Sequence, residues 1–352
     1  MSEPETGAQA AGTMPSKEAL ADANASVKRL TDALARVILG QETLVDMVVT
    51  ALLARGHVLF EGMPGLGKTQ LVRGLAKLVG LEFRRVQFTP DLMPGDITGT
   101  HILVERDGKR AFEFQAGPIF SNLVLADEIN RASPKTQSAL LEAMQERCVT
   151  VLGETRTLPG PFFVLATQNP IELEGTYPLP EAQLDRFLFK LEVSGVGPEV
   201  MAEILRSRKR GELPELEQAV SREELWKLFD LVDAVYLPEA VAAYIARLVH
   251  ATHPGGSAER VTRFVRYGSS PRGAISIATA ARALAVMRGK PNVGFDEVKA
   301  VAPHALKHRI ILDYAARLER FSPTDAVADA VQSVSELDRP LPTGVESAEA
   351  KG

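Results

Sequence analysis

The chain has 352 residues, of which 45% are hydrophobic and 24% are charged, and its formal net charge is −5. This length suffices for two domains, and no apolar run approaches the ~20 residues that a membrane-spanning helix needs. The acidic balance gives no general attraction to nucleic acid or to an anionic membrane surface. A single cysteine, Cys148, excludes an internal disulfide and a cysteine-based zinc site. Because the N-terminus lacks the layout of a secretory signal, we predict a cytoplasmic protein.

The N-terminal part of the chain predicts a tail followed by two helices. Residues 1–25 are rich in Ala, Gly, Ser, Glu and Thr without sustained apolar periodicity, so we expect a disordered tail there. Residues 25–54 carry apolar side chains at helical spacing, with a break at Gly40. The apolar segment at this break, which includes Ile38, either contacts a nucleobase or belongs to the core. The sequence leaves both possibilities open.

Residues 62–69 match a phosphate-binding motif of Gly, four residues, Gly, Lys and Thr. The motif follows a predicted buried strand at 57–60 and precedes a helical pattern, and this order disfavours a chance Gly-rich turn. Glycines let backbone N–H groups surround an anion, and the helix N-terminus adds partial positive charge. Lys68 would reach the β- and γ-phosphates, and the Thr69 hydroxyl would ligate Mg²⁺. The candidate nucleotide-binding residues are Ile38, Gly40, Gly62, Met63, Pro64, Gly65, Leu66, Gly67, Lys68, Thr69 and Gln70.

A second motif ends another predicted strand. Residues 123–126 are a continuous apolar run that leads into Asp127 and Glu128. An apolar parallel strand delivers its last residues to the same sheet edge as the phosphate-binding loop. There Asp127 would bind Mg²⁺, mostly through water, and Glu128 would orient or deprotonate the attacking water. The alternative is a strand end with ordinary surface acids.

Two β-hairpins interrupt the α/β rhythm. One is predicted over residues 100–114, around Asp107 and Gly108, and the other over residues 148–158. Further strands are predicted at residues 84–89, 162–167 and 187–193, which complete a parallel sheet.

Two polar residues flank these last strands. Asn169 follows the strand at 162–167, where its amide could hydrogen-bond the γ-phosphate or the attacking water, or could only form a turn. Arg186 immediately precedes the strand at 187–193. From residue 196 onward helical patterns replace strands. We therefore expect an α/β core at 26–195, a helical domain at 196–337 and a flexible tail at 338–352.

Together these motifs resemble those of the AAA+ ATPases, and more narrowly the MoxR family, over roughly residues 27–335. The most specific matches are residues 62–69, 125–131, 135–146, 166–170, 174–187 and 270–272. The resemblance implies an αβα P-loop nucleotide-binding domain with a parallel sheet and two hairpin inserts, followed by a small all-α lid domain.

The resemblance also implies roles for individual residues. Asn169 matches the first sensor, Arg272 matches the second sensor in the lid, and Arg186 matches the arginine finger that acts on a neighbour's ATP. Catalytic candidates are therefore Glu128, Asn169, Arg186 and Arg272, and the metal ligands are Thr69 and Asp127. A trans-acting finger implies a homo-oligomeric ring, usually a hexamer. A salt bridge to Asp185 or Glu181 is the alternative for Arg186, and Arg131 is a second trans-acting candidate.

The predicted function is Mg²⁺-dependent ATP hydrolysis that drives remodelling of a protein client. The resemblance implies chaperone-like work in maturation or metal-cofactor insertion, with a partner that carries a von Willebrand factor A (VWA) domain. Alternatives are a magnesium-chelatase-type motor subunit, a DNA-acting AAA+ regulator and a nucleotide-gated scaffold. The net charge and the lack of a Lys/Arg-rich arm disfavour a nucleic-acid partner. No Asn-Lys-x-Asp sequence for guanine occurs.

Overall fold

A computed structural model of the chain describes residues 15–63, 65–106, 109–169, 175–208 and 214–337. The loop residue Pro64, the predicted hairpin turn at 107–108 and the tail segments 1–14 and 338–352 lie outside the described residues. In chain order the strands are β1 (Val58–Glu61), β2 (Phe83–Gln87), β3 (Gly99–Arg106), β4 (Lys109–Ala116), β5 (Leu123–Asp127), β6 (Cys148–Val151), β7 (Glu154–Thr157), β8 (Phe163–Gln168), β9 (Phe189–Glu192), β10 (Val265–Tyr267) and β11 (Ile311–Leu312).

The helices, in chain order, are α1 (Lys17–Ala35), α2 (Glu42–Leu53), α3 (Lys68–Val79), α4 (Pro94–Thr98), α5 (Pro134–Glu146), α6 (Glu181–Leu184), α7 (Pro198–Ser207), α8 (Arg222–Ala234), α9 (Glu239–Ala251), α10 (Glu259–Phe264), α11 (Pro271–Met287), α12 (Phe295–Leu306), α13 (Tyr314–Leu318) and α14 (Pro323–Ser333). None of these helices is both long and apolar enough to cross a membrane.

The central feature is a five-stranded parallel sheet with the order β2-β5-β8-β1-β9. Its inner strands are buried on both faces, because successive side chains point to opposite sides of a strand. In β1, Val58 and Phe60 join one apolar cluster and Leu59 joins another. Helices α1, α2 and α3 cover the first face, and α5 covers the second. This is the predicted αβα arrangement.

Both predicted hairpin inserts are present. Strand β3 pairs with β4, and β6 pairs with β7, each in antiparallel register. The inserts also contact each other, since the Arg156 guanidinium of β7 lies 4.1 Å from the centre of the Phe114 ring of β4. Such a cation–π contact holds the two hairpins together.

The C-terminal part is mainly helical, as predicted, and rests on the core through α11, which packs against α1 and α2. The predicted capping box of Ser221 and Glu224 opens α8, and Ser270 precedes α11. One difference is the short antiparallel pair of β10 and β11. Strands of two and three residues are too short to produce a readable alternation in the sequence.

The predicted tail at residues 1–25 is wrong for residues 17–25, which form the first half of α1. The Ser16 hydroxyl caps this helix by accepting a hydrogen bond from the Ala19 N–H at 3.1 Å. Leu20 and Ala23 are buried at helical spacing, and the Asn24 amide donates to the Met287 carbonyl at the end of α11. Leu20 and Ala23 are the buried residues of this half of the helix, and two positions are too few to give a readable periodicity in the sequence.

A buried histidine ties the sheet to α5. His57 Nδ1 accepts a hydrogen bond from the Val164 N–H at 3.0 Å, and its Nε2 lies 3.1 Å from the Met144 carbonyl oxygen, to which it donates in the neutral tautomer. Burial lowers the pKa of His57 from 6.5 to about 4. The folded protein therefore holds this ring in its neutral form at neutral pH.

We expect the free energy of unfolding to decrease as the pH falls from about 6.5 to about 4, because unfolded His57 takes up a proton that the folded state excludes. At pH 5 the contribution of His57 to this loss amounts to about 2 kcal/mol. Urea unfolding at pH 7.5 and 5.0 measures it in the native chain and in His57→Gln, which should lose less stability than the native chain. The exposed His250→Gln is the matched control. An unchanged pH dependence in His57→Gln would contradict this assignment.

Candidate functional site

Three parallel strands bring the predicted motifs to one edge of the sheet. The loop after β1, the carboxylates at the end of β5 and Asn169 after β8 surround a cleft of about 450 Å³. The residues that line this cleft are Gly65, Gly67, Lys68, Thr69, Gln70, Arg85, Gln87, Asp127, Glu128, Thr167 and Asn169. Half of the predicted binding, metal and hydrolysis residues, eight of sixteen, thus line one cleft.

The phosphate-binding loop packs closely against its surroundings. Gly67 has φ of 84°, in the left-handed region that favours glycine, and a Cβ there would lie 2.9 Å from Ile38 Cδ1. At Gly62 a Cβ would lie 2.5 Å from the Val193 carbonyl oxygen. Gly62 is therefore required by close approach to a backbone carbonyl, and Gly67 is favoured by its left-handed φ. Directly after them, the first turn of α3 lines the cleft, where its N-terminal partial charge favours an anion.

Lys68 extends along this loop rather than into solvent. Its Nζ donates a hydrogen bond to the Gly62 carbonyl oxygen at 2.6 Å. Burial lowers the pKa of Lys68, and the charges of Asp127 and Glu128 oppose that shift. The ammonium therefore lies inside the cleft in the field of two carboxylates.

Asp127 is held by a hydroxyl and a guanidinium. Its Oδ1 accepts a hydrogen bond from Thr167 Oγ1 at 2.6 Å. Its Oδ2 accepts from Arg85 Nε at 3.1 Å and from Arg85 Nη2 at 2.6 Å. Both guanidinium bonds are charge-assisted, but they converge on one oxygen, whereas a bidentate pair would use both carboxylate oxygens. The carboxylate is mostly buried, and its side chain is only 15% exposed.

Glu128 leaves the strand in an unusual backbone conformation. Its φ of 56° lies in the left-handed region, which a non-glycine residue seldom adopts. Its N–H donates to Thr167 Oγ1 at 2.8 Å, and its Oε2 accepts from Gln87 Nε2 at 2.8 Å and from Arg131 Nη1 at 3.0 Å. The turn thus holds the second carboxylate in the cleft beside the first.

Arg85, Gln87 and Thr167 were missed by the sequence analysis. The predicted strand at 84–89 contained the first two, but its neighbour in the sheet was unknown. In the structure β2 lies beside β5, with Gln87 opposite Asp127. Since Arg85 and Gln87 are two residues apart on a strand, their side chains share a face.

Asn169, the candidate sensor, lines the cleft and is buried, with 7% of its surface exposed. Its backbone carbonyl accepts a hydrogen bond from Asn130 Nδ2 at 3.4 Å. The amide side chain is therefore placed on a segment that packs against the turn after Glu128.

A second cleft of about 320 Å³ adjoins the loop and shares Gly65, Gly67 and Gln70 with the first. Its other lining residues are Val37, Ile38, Leu39, Gln41, Leu66, Ser194, Gly195, Val196, Met201, Ile204 and Arg208. Ile38 and Leu66 thus form part of a mostly apolar wall beside the phosphate-binding loop. Gly40 does not line either cleft and instead packs against Val200.

Arg208, which the sequence analysis also missed, closes this second cleft. Its Nη1 donates to Gln70 Oε1 at 2.9 Å, and its Nη2 donates to the Arg36 carbonyl at 3.2 Å and to the Val37 carbonyl. The side chain therefore ties the end of α7 to the segment before α2. Met63, a predicted loop contact, is exposed and lines neither cleft.

The two predicted catalytic arginines lie outside both sets of lining residues. Arg186 Nη1 donates to the Leu141 carbonyl at 2.7 Å. Arg272 is 46% exposed, with its Nη1 3.6 Å from Asp185 Oδ2. Asp185 therefore pairs with two arginines of the C-terminal part, Arg272 and Arg309. A salt bridge between Arg186 and Asp185, the alternative raised by the sequence, is not among the ion pairs of the described residues.

The cleft offers oxygen donors for a magnesium ion. Thr69 and Asp127 both line it, and Mg²⁺ prefers a few protein oxygens together with water and phosphate oxygens. Within the described ranges no group of three or more His, Cys, Asp or Glu residues forms a complete metal cage. The donors fit a metal that is held largely by a nucleotide.

Comparisons with known proteins agree with this geometry. The sequence profile described as "ATPase family associated with various cellular activities (AAA)" matches residues 57–189, and the AAA lid domain profile matches residues 257–331. A crystal structure of a candidate ATPase from Cytophaga hutchinsonii has a TM-score of 0.84 and 38% sequence identity, and the match covers 91% of this chain and 97% of that one.

Two curated relatives match most of the chain. Chaperone MoxR1 of Mycobacterium tuberculosis is 45% identical over 302 residues, which cover 85% of this chain and 79% of that protein. The uncharacterised protein YeaC of Bacillus subtilis is 44% identical over 302 residues, which cover 85% of this chain and 91% of that protein. Because the chain matches the AAA profile and shares 45% identity with a MoxR protein over most of both sequences, it belongs to the MoxR family of AAA+ ATPases.

Proposed function

We propose that this protein hydrolyses ATP in the presence of Mg²⁺. The observation that carries the proposal is the placement of Asp127 and Glu128 in one cleft with Lys68 and Thr69. A nucleotide-binding protein without turnover needs the phosphate-binding loop but does not need a second carboxylate held beside the metal ligand. Asn169 lines the same cleft, which supports a role in sensing the γ-phosphate.

Thr69 and Asp127 would hold the metal, and Lys68 would hold the β- and γ-phosphates. Bound Mg²⁺ would neutralise the negative charge that develops on the transferred phosphoryl group. Glu128 would accept a proton from the attacking water or orient it. Gln87 and Arg131 hold the Glu128 carboxylate, so they set its orientation before nucleotide arrives.

Adenine would occupy the second cleft, beside Ile38 and Leu66. This cleft is mostly apolar and is continuous with the phosphate-binding cleft through Gly65, Gly67 and Gln70. Mostly apolar walls with a few polar groups are typical of small-molecule sites. A guanine-specific site is not supported by the sequence.

The protein would act as a homo-oligomeric ring, which we expect to be a hexamer. Arg186 would complete the active site of the neighbouring subunit, where a guanidinium stabilises charge on the γ-phosphate. This assignment is compatible with its position outside the cleft of its own subunit. Arg272, on the first turn of the lid helix α11, would contact nucleotide when the lid closes.

We infer a chaperone-like role on a protein client, in maturation or metal-cofactor insertion with a VWA-domain partner, in the cytoplasm. The name of the relative Chaperone MoxR1 supports this role over a magnesium-chelatase-type motor or a DNA-acting regulator. Tetrapyrrole metallation assays and DNA-stimulated ATPase assays separate the three activities. The net charge of −5 also disfavours DNA.

Lys68→Ala should abolish nucleotide binding, whereas Glu128→Gln should keep ATP bound and lower turnover at least a hundredfold. The reason is that Lys68 binds phosphate and Glu128 acts only on the attacking water. Equilibrium binding of a fluorescent ATP analogue and phosphate release measure the two effects separately. Equal loss of binding in both variants would reject this division of roles.

Arg85→Gln should lower the Mg²⁺ concentration for half-maximal ATPase activity about threefold to tenfold. The reason is that the partly exposed Arg85–Asp127 ion pair, which stabilises the metal-free site by about 1 kcal/mol, competes with the metal for Asp127. Arg84→Gln is the matched control, since Arg84 is the neighbour on β2 and pairs with Glu82 instead. Mg²⁺ titrations of the ATPase rate at saturating ATP compare the variants. A higher Mg²⁺ requirement in Arg85→Gln would show that Arg85 assists binding rather than competes.

Arg186→Ala subunits should bind ATP but turn it over at least a hundredfold more slowly, because they lack the charge that acts across the interface. Mixing them with Glu128→Gln subunits should restore part of the activity, since the second variant supplies an intact finger to an intact site. ATPase rates of the separate and mixed proteins, with mass measured in ATP, test this. Mixtures that assemble but stay inactive would contradict the trans-acting role.

A further inference from the structure

Arg309, just after the lid helix α12, is a buried cation whose side chain is only 2% exposed. Its Nε donates to Asp185 Oδ1 at 2.6 Å. Its Nη2 donates to the carbonyls of Asp185 at 2.9 Å and Phe187 at 2.8 Å, and its Nη1 donates to the Leu188 carbonyl at 3.3 Å. One lid guanidinium therefore binds the backbone on both sides of Arg186.

These bonds fix a segment that has little regular structure of its own. Helix α6 ends at Leu184 and β9 begins at Phe189, so residues 185–188 form the connection. Within this connection the Phe187 side chain is fully buried, while its backbone carbonyl accepts the hydrogen bond from Arg309. The Arg186 side chain leaves this connection and donates to the Leu141 carbonyl. Its direction therefore depends on how the segment is held.

Net stabilisation alone does not account for this pair. Burying an arginine and a carboxylate costs desolvation free energy that their attraction roughly balances, so apolar residues would stabilise the fold as well. Burial lowers the pKa of Arg309, and Asp185 opposes that shift. What a guanidinium adds over apolar packing is a planar fork of donors that fixes several carbonyl groups in one geometry.

We propose that Arg309 and Asp185 form a lid-to-core latch that positions Arg186 for the nucleotide of the neighbouring subunit. The inference rests on the proposed trans-acting role of Arg186. Arg309 is then a positioning residue that acts, through Arg186, on the nucleotide-binding cleft of the neighbouring subunit and not on the cleft of its own subunit. This predicts an asymmetry that a merely structural residue would not produce.

The test uses mixed rings of full-length chains. Arg186→Ala subunits have an intact cleft and accept a finger, while Glu128→Gln subunits donate a finger and cannot hydrolyse ATP. Adding Arg309→Lys to the donor should lower the restored ATPase rate at least tenfold, because a lysine cannot form the fork. Adding Arg309→Lys to the acceptor should change the restored rate less than twofold.

Arg288→Lys in the donor is the matched control. Arg288 also pairs with a buried lid carboxylate, that of Glu297, but this pair lies within the lid. Arg288→Lys should leave the restored ATPase rate within twofold of the rate of the parent mixture. Asp185→Asn, placed in the donor or in the acceptor, weakens the latch from the core side. It should show the same asymmetry to a smaller extent, which keeps the test valid if Arg309→Lys fails to fold. ATP binding and mass of each mixture verify assembly.

The outcomes separate the latch from the role on which it rests. Restored activity in the parent mixture together with equal losses in donor and acceptor would overturn the latch while keeping the trans-acting finger. No restored activity in the parent mixture would overturn the finger, and the positioning role with it. Hydrogen exchange of residues 185–188 gives a second readout, since Arg309→Lys should accelerate it at least tenfold and Arg288→Lys should not. Unchanged exchange would also reject the latch.

Discussion

The parallel pairing of β1, β8 and β5 is the constraint on which the site depends. Backbone hydrogen bonds fix β1 against β8 and β8 against β5, so a loop, two carboxylates and an amide from distant parts of the chain meet at one edge. Burial of both strand faces stabilises this alignment. Val58 and Phe60 face one layer and Leu59 the other, each contributing about 2 kcal/mol of apolar burial. A one-residue slip would exchange the faces and dismantle the cleft.

Within the cleft, a buried hydroxyl and two arginines hold the adjacent carboxylates of Asp127 and Glu128 before any ligand binds. Thr167, only 1% exposed, donates to Asp127 and accepts from the Glu128 N–H, so it is a permanent part of the frame. Arg85 and Arg131 are about half exposed, and exposed ion pairs of this kind are weak. The buried hydroxyl therefore fixes the geometry, whereas the two arginines can exchange their partners when a nucleotide and metal bring other charges.

The motifs could be predicted from the sequence because each is local. A strand, a glycine loop and a helix follow one another at Gly62 and Lys68, and the three-layer fold follows from apolar strands that alternate with helices. Arg85, Gln87 and Thr167 could not be assigned, since their roles depend on which strands are neighbours. Neither could the first half of α1, whose partner Met287 lies far along the chain. The sequence thus shows which chemistry is present, and non-local packing decides which side chains hold it.

The lid touches one core carboxylate with two arginines of different character. Arg309 is buried, and losing Asp185 would leave it uncompensated, so this contact resists opening. Arg272 is half exposed and 3.6 Å away from the same carboxylate, so it can leave at little cost. If Arg272 follows nucleotide in its own subunit while Arg309 stays, the lid can respond to ATP without releasing the segment that carries Arg186. A fixed contact and an exchangeable contact on one carboxylate would then let each subunit sense its own nucleotide while keeping a finger in place for its neighbour.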